Sequence, residues 1–288
     1  MKISGFTFVR NAVKYDYPVI EAINSILPLC DELIVCLGAS DDGTAALLES
    51  ITSHKLKIIH SVWDDSLRKG GRVLAEETNK AFDAIASDSD WAVYIQADEV
   101  IHEKYISIIR QGMEQYLNDK TVDCLVLNYL HFYGNYHYVG DSRNWYRREI
   151  RIIRNDHTIR SYRDAQGFRR KNEKLNGKLL DAYVYHYGWV RNPHFLTAKQ
   201  VGFEKLYKPD DTKLTVKQDE LYDYRKVASL KLFTGDHPAV MQKRINAMDW
   251  NFEFDTRKKR LPLKEKVLLW IEKLTGHRLF EFRNYKLV

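Results

Sequence analysis

The chain has 288 residues, 44% of them hydrophobic, and carries 45 lysines and arginines against 39 aspartates and glutamates, a formal net charge of +6. That apolar content excludes wholesale disorder and suffices for one large α/β domain with an extension, or for two small domains. The positive balance suits an anionic small molecule, an acidic membrane surface or nucleic acid and does not choose among them. Cys30, Cys36 and Cys124 have no CxxC pairing and no histidine at zinc spacing, which predicts buried thiols in a reducing compartment. The N-terminus runs straight into a strand without a signal-like apolar segment, and no apolar run reaches transmembrane length. The expectation is a soluble cytoplasmic protein, docked on a membrane at most peripherally.

In chain order, residues 3–9 read as a strand and Pro18 opens a helix whose apolar face is Val19, Ile23, Ile26 and Leu27. Residues 32–37 form a continuous apolar run, as in a strand buried on both faces. The turn 38–44 leads into a helix over 45–51, and residues 57–60 are a third strand. Residues 67–86 read as mostly helical, with the loop 69–72 near the start, and 91–95 as a fourth strand. Strand and helix alternating over short connections predict right-handed βαβ units and a parallel sheet.

After a helix ending near Asn118 the pattern changes. Residues 122–128 read as a strand, the aromatic-rich 129–138 as a hairpin turning at Gly134-Asn135, 145–154 as an alternating strand and 182–187 as another, so this half is expected to be mixed or antiparallel. Helices are expected over 194–207, 221–232, 238–247 and 263–274. The domain reading is 1–210, with halves 1–120 and 121–210, followed by a helical extension, 211–288.

The stretch that carries chemistry follows the fourth strand: Gln96, Ala97, Asp98 and Glu99, then His102 and Glu103. Functional groups of α/β folds sit at the carboxyl edge of the sheet, and carboxylates there can hold a hard divalent cation. Acidic residues equally suit the first turn of a helix, and the stretch alone leaves the two readings level.

With its neighbours, it resembles a family 2 glycosyltransferase of the GT-A fold over roughly residues 1–205. The first strand ends in Phe8-Val-Arg-Asn11, and the second leads to Ser40-Asp-Asp-Gly-Thr44, similar to the family's Ser-Thr-Asp-Gly-Thr turn. The third helix carries Asn79 before Ala81, and Gln96-Ala-Asp-Glu99 falls where the family has Asp-Ala-Asp-Glu. The resemblance implies a GT-A (Rossmann-like) mixed, mainly parallel sheet flanked by helices, with a C-terminal helical extension. It implies transfer of a sugar from a nucleotide-diphosphate donor, with inversion and assisted by Mn²⁺ or Mg²⁺, in polysaccharide, lipopolysaccharide or other glycan assembly. Nucleotide-sugar contacts fall to Phe8, Val9, Arg10, Asn11, Asp42, Arg72, Gln96, Ala97, Asp98 and Arg191, and metal ligation to Asp98 and His186. Two departures stand out: Gln96 replaces the first aspartate and brings no charge, and Leu37 stands where the family often has an aspartate.

Lys199, like Arg191, is in range to pair with phosphate oxygens. The resemblance implies an acidic catalytic base ahead of the histidine strand, a position that Asp164 fits best, with Asp181 and Glu149 as lesser candidates; the same Asp164 also reads as an ion-pair partner of Arg163, Arg169 or Arg170. The aromatic run 129–138 reads either as an acceptor wall or as hairpin packing. The expected donor is a UDP-sugar and the acceptor a glycan or a lipid-linked species, with no nucleic-acid partner. Residues 257–274 are basic and amphipathic, so they read either as a peripheral membrane contact or as a helix packed on the domain. The alternatives in function are a nucleotidyltransferase of related fold, which lacks its usual Gly-rich loop here, and a degenerate donor-binding protein without turnover.

Overall fold

The structure is a computed structural model that describes residues 1–64, 66–67, 69–207, 215–217 and 219–288. The expected boundary at 210/211, and residue 68 within the expected helix 67–86, lie outside the described residues. The first half follows the strand–helix alternation: β1 (Ile3–Val9), α1 (Val19–Ile26), β2 (Glu32–Gly38), α2 (Thr44–Glu49), β3 (Leu56–Ser61), α3 (Arg72–Asp83) and β4 (Trp91–Tyr94). Next come β5 (Glu99–Ile101), α4 (Ile106–Gln115), β6 (Cys124–Tyr133), β7 (Asn135–Gly140), β8 (Arg148–Arg154), β9 (Ile159–Tyr162), β10 (Gly167–Arg170) and β11 (Glu173–Trp189). The last part holds α5 (Pro193–Tyr207), β12 (Leu230–Leu232), α6 (Gln242–Asn246), α7 (Leu263–Thr275) and β13 (Tyr285–Leu287).

All seven residues of β2 are buried, as its apolar run predicts. It pairs in parallel with β1 and β3, and β1 pairs in parallel with β4. β8 then enters antiparallel between β4 and β6, β11 lies parallel to β6, and the path runs β3-β2-β1-β4-β8-β6-β11-β10-β9. This is a mixed α/β sheet, parallel on the N-terminal side and mixed beyond it.

Alternation along the strands sends side chains into two layers. Ile3, Val9, Val35, Trp91 and Val93 pack with Ile23 and Ile26 of α1 and with Ile109 and Met113 of α4. On the opposite face Phe6, Cys36, Ala92 and Tyr94 pack with Ala81 and Phe82 of α3 and with Phe168 of β10. Each fully buried aliphatic side chain contributes about 1.5–3 kcal/mol, so the carboxyl ends of β1, β2 and β4 are held together by a continuous core. The three cysteines are buried and free, as expected.

Several elements differ from their sequence reading. Residues 99–101 pair with β11 as a short strand and do not open a helix. Residues 221–232 form no α-helix: Tyr222 and Tyr224 pack among Tyr133, Leu196 and Phe252, and Leu230–Leu232 pairs with β7, so tertiary contacts override helix propensity. The hairpin β9–β10 was not anticipated. The extension is helical in part and also returns two strands to the sheet, β12 on β7 and β13 on β11. Among the described residues no helix is long and apolar enough to cross a membrane.

Candidate active site

Beyond β4 the chain turns sharply, and the Asp98 carbonyl accepts a hydrogen bond from the Tyr187 backbone N–H at 2.8 Å, which fixes Asp98 against β11. The Asp98 carboxylate meets two side chains. Its Oδ2 accepts from Lys199 Nζ of α5 at 2.9 Å, and its Oδ1 lies 3.8 Å from His186 Nε2 on β11. The same ammonium donates to the Gly188 carbonyl at 2.9 Å. Burial alone would raise the Asp98 carboxyl, but Lys199, His186 and Arg191 outweigh it and hold the group well below the ordinary carboxylate range. Burial pushes the Lys199 ammonium down to about 8 against the pull of Asp98, with Arg191 adding to the depression. The side chains keep 11% exposure at Asp98, 13% at His186 and 9% at Lys199, so the cluster is largely but not wholly shielded from solvent.

A second histidine sets the state of the first. His131 Nε2 lies 2.7 Å from the Tyr146 carbonyl, which can only accept, so this nitrogen carries the proton. Burial drives His131 down to about 3 and His186 to about 4, so both rings are neutral near pH 7. His131 Nδ1 is therefore an acceptor, and His186 Nδ1, 3.0 Å away, donates to it. That leaves His186 Nε2 bare, with its lone pair on the Asp98 side.

Two lone-pair bearers, Asp98 Oδ1 and His186 Nε2, thus flank one small space. Gly188 keeps it open: a Cβ there would meet His186 Nε2 at 2.5 Å and Asp98 Oδ2 at 2.8 Å. A carboxylate and a neutral imidazole are a fitting donor pair for Mn²⁺ and a poorer one for Mg²⁺, and the second ring orients the ligand as metal sites require. Among the described residues no third His, Cys, Asp or Glu joins them, so the remaining coordination positions would fall to a bound ligand or water.

Arg191 follows β11 and is fully buried beside this cluster. Its guanidinium lies over the Tyr17 ring, 5.0 Å from the centroid, and donates to the Tyr15 carbonyl. Among the described residues its Nε and Nη2 have no hydrogen-bond partner. One buried carboxylate against two buried cations leaves an excess positive charge, and two N–H-bearing atoms find no acceptor among the described residues.

Glu99 belongs to neither the cation space nor a helix start. It is fully buried in an ion pair with Arg151 (2.7 and 2.8 Å) and accepts from the Tyr129 hydroxyl at 2.8 Å. Such a pair fixes geometry more than it stabilises. The Gln96 amide is likewise turned away, donating to the Ala165 carbonyl at 3.2 Å. That contact ties the end of β4 to the β9–β10 turn, and Asp164 sits at its tip. Arg163 and Ala165 on either side have φ of 55° and 61°, a conformation that L residues adopt at a cost of order 1–3 kcal/mol. The Asp164 carboxylate accepts from the Tyr207 hydroxyl at the end of α5. Asp181 is exposed on β11. Glu149 is buried beneath the tail, where it accepts from Asn284 Nδ2 at 2.7 Å.

At the ends of β1 and β2, Phe8 faces Trp63 (5.9 Å between centroids) and the Arg10 guanidinium lies 5.3 Å over the same indole. Trp63 Nε1 is buried without a partner among the described residues, and the indole rests on Gly38, where a Cβ would lie 2.3 Å from Nε1. Asn11, at φ 55°, links to the second turn by accepting from Asp41 N at 3.2 Å. Asp42 is committed to its own turn, accepting from Lys14 N (2.6 Å) and from Thr44 N (3.1 Å). The Val9 side chain lies in the core, so only its backbone faces the edge. Ala97 is half-buried in the turn beside Asp98. Arg72 is 64% exposed at the side chain and sits 3.7 Å from Glu76. Asn79 is spent on the backbone of Ser161 in β9. Much of the aromatic run is hairpin packing: Phe132, Tyr133 and Tyr136 lie in core clusters.

His131, Tyr17, Trp63 and Gly188 were not singled out from the sequence as site residues. His131 meets His186 only through the register of β6 on β11, which leaves no local mark.

No family model matches the sequence, and the search of curated proteins finds no match to it. Among solved structures the chain is similar to S. aureus TarS (16% identity, 70% of this chain and 39% of that one, TM-score 0.43). It is similar to TarS 1-349 in complex with UDP (16% identity, 74% and 67% coverage, TM-score 0.43). Glucosyl-3-phosphoglycerate synthase from Mycobacterium tuberculosis, in complex with Mn²⁺, UDP-glucose and phosphoglyceric acid, is a third (18% identity, 45% and 44% coverage, TM-score 0.31). The chain thus spans well under two thirds of the full TarS chain and of the synthase.

Proposed function

We propose that the protein is a glycosyltransferase that moves a sugar from a nucleotide-diphosphate donor to an acceptor hydroxyl with inversion at the anomeric carbon. The observation that carries this reading is the buried cluster of Asp98, His186, Lys199 and Arg191 at the carboxyl edge of β4. Its surplus positive charge and the two unpartnered atoms of Arg191 call for an anion. Leaving a buried donor unsatisfied costs about 1–3 kcal/mol, which a diphosphate oxygen would offset. The aromatic corner of Phe8 and Trp63, with Arg10 and Asn11, supports a nucleoside end over β1 and β2, and we take the nucleotide to be UDP.

In this reading the anomeric C–O bond to the diphosphate breaks while the acceptor oxygen attacks from the opposite face. The nucleoside diphosphate leaves with the bonding electron pair, and Asp164 takes the acceptor proton. Asp164 suits that role because its turn is tethered to β4 through Gln96 and to α5 through Tyr207. Lys199 and Arg191 hold fixed positive charge against the leaving group. Mn²⁺ or Mg²⁺ between Asp98 and His186 would supply Lewis-acid stabilisation of the same charge. Residues 1–120 would form the donor half and 121–210 the acceptor half, the acceptor being a glycan or a lipid-linked saccharide of an assembly pathway.

The test is release of UDP or GDP from a panel of nucleotide sugars, with Mn²⁺ and with chelator. Asp164→Asn should bind donor as the parent does and lose roughly 10²–10⁴-fold in transfer. Failure of the parent to bind or turn over any donor overturns the reading, and unchanged turnover in Asp164→Asn removes that residue from the base role.

A further inference from the structure

Helix α7 is built inside out. An amphipathic surface helix normally turns its apolar stripe toward the core and its charges toward water. Here Leu263, Val267, Trp270 and Leu274, spaced four, three and four residues apart on one helical face, are all exposed, Leu263 at 78% and Trp270 at 63%. No residue of the helix is buried. The opposite face meets the protein through charge: Glu265 accepts from the Arg143 backbone N–H at 2.7 Å, and Glu272 pairs with Arg143 at 2.7 Å and Arg147 at 3.1 Å. The face with Glu265 and Glu272, flanked by half-buried Leu268 and Leu269, is therefore the anchored side, and the stripe of Leu263, Val267, Trp270 and Leu274 is presented outward.

Two further features give the stripe its partner. Lys264 flanks it on one side and Lys266 and Lys273 on the other, all exposed, with the exposed basic run 257–260 just upstream. Beyond the helix the tail adds Phe280, 88% exposed at φ 57°, and Phe282, 67% exposed. Phe280 lines an open cleft of about 610 Å³ whose cationic lining includes Lys174, Arg283 and Lys286, and the Lys174 ammonium lies over the Phe282 ring. The one acid in that cleft, Glu281, is already paired with Arg147 and Arg283.

We propose that α7 and this tail dock on an anionic phospholipid bilayer. The stripe would enter the acyl boundary, the flanking lysines would extend their heads to the phosphates, and the cleft would take acidic headgroups. A second copy of the chain fits worse, because pairing two such stripes would bring lysine flank against lysine flank, and like-charge juxtaposition is costly. The inference stands on the surface alone and does not depend on the proposed transferase activity.

The experiment is co-sedimentation of the full chain with phosphatidylglycerol–phosphatidylcholine vesicles and with phosphatidylcholine vesicles. Point substitutions are used, because deleting the tail would remove Asn284 from Glu149 and β13 from β11. The parent should bind the anionic vesicles and release them as salt rises from about 0.1 M to about 1 M. Val267→Glu/Trp270→Glu should bind at least tenfold more weakly with an unchanged melting temperature. At about 1 kcal/mol per cation near an anionic surface, Lys266→Gln/Lys273→Gln should lose roughly thirtyfold on anionic vesicles only. The proposal is overturned if the parent ignores anionic vesicles or if both variants bind as the parent does. It is equally overturned if sedimentation velocity shows a dimer that Val267→Glu/Trp270→Glu splits while no form binds lipid.

Discussion

Removing Lys199 tests the electrostatics of the site without any assumption about substrate. Its ammonium lies 2.9 Å from Asp98 Oδ2, and both side chains are about nine-tenths buried. At an effective dielectric of about 20 the gross attraction at that distance is about 6 kcal/mol, and desolvation of the ammonium cancels part of it. Lys199→Met keeps the stem and deletes the charge, leaving the Asp98 carboxylate buried. Removing one partner of a buried pair costs about 3–5 kcal/mol. At about 2–4 °C per kcal/mol for chains of somewhat smaller size, the melting temperature should fall by roughly 6–20 °C. Lys199→Met/Asp98→Asn removes both charges and should recover at least half of that loss. The assay is a double-mutant cycle by thermal and urea unfolding in chelator at pH 7. Acid adds a check: the depressed Asp98 carboxyl gives the parent stability that is present above its unfolded pKa and lost as pH falls from about 4. Lys199→Met should weaken that acid dependence. A double variant no more stable than Lys199→Met would refute the account.

Two other predictions concern neighbouring groups. His131→Phe removes the acceptor that fixes the His186 tautomer; Mn²⁺ affinity, read by electron paramagnetic resonance or calorimetry with donor present, should fall about ten- to hundredfold, and unchanged affinity would count against the relay. Burial raises Glu149 to about 7 from its ordinary 4.5, so the folded state holds a proton that the unfolded chain has released. Stability should therefore fall as pH rises through that window, by about 3 kcal/mol in all. Glu149→Gln should flatten the slope between pH 5 and pH 8 in urea titrations, and an unaltered slope would place the proton elsewhere.

What the sequence made legible follows the range of the forces involved. β1, α1, β2 and β4 announce themselves through local periodicity and continuous apolar runs. β5, β12 and β13 are three residues each and exist only because a distant strand accepts them. Asp98 and His186 could be nominated from the sequence because each lies near a strand end in a recognisable pattern, and the structure brings the two side chains within 3.8 Å. The meaning of Glu99 was not readable, since its partner Arg151 is 52 residues away on β8. Residues 221–232 misled because a helical apolar spacing is also what a chain shows when two tyrosines pack sideways into a core.

The carbonyl of Tyr146 decides which nitrogen of His186 is bare, and it does so as a main-chain atom. No substitution at position 146 deletes it, so a side-chain scan through the loop between β7 and β8 would score this position for its ring alone. The controlling variable is where the loop sits, and Arg143 and Arg147 moor that loop to Glu272 and Glu281. Charge reversals at those largely buried anchors, outside the Asp98–His186–Lys199–Arg191 cluster, are therefore the route by which the proton placement in the cluster can drift while each of its four residues stays unchanged.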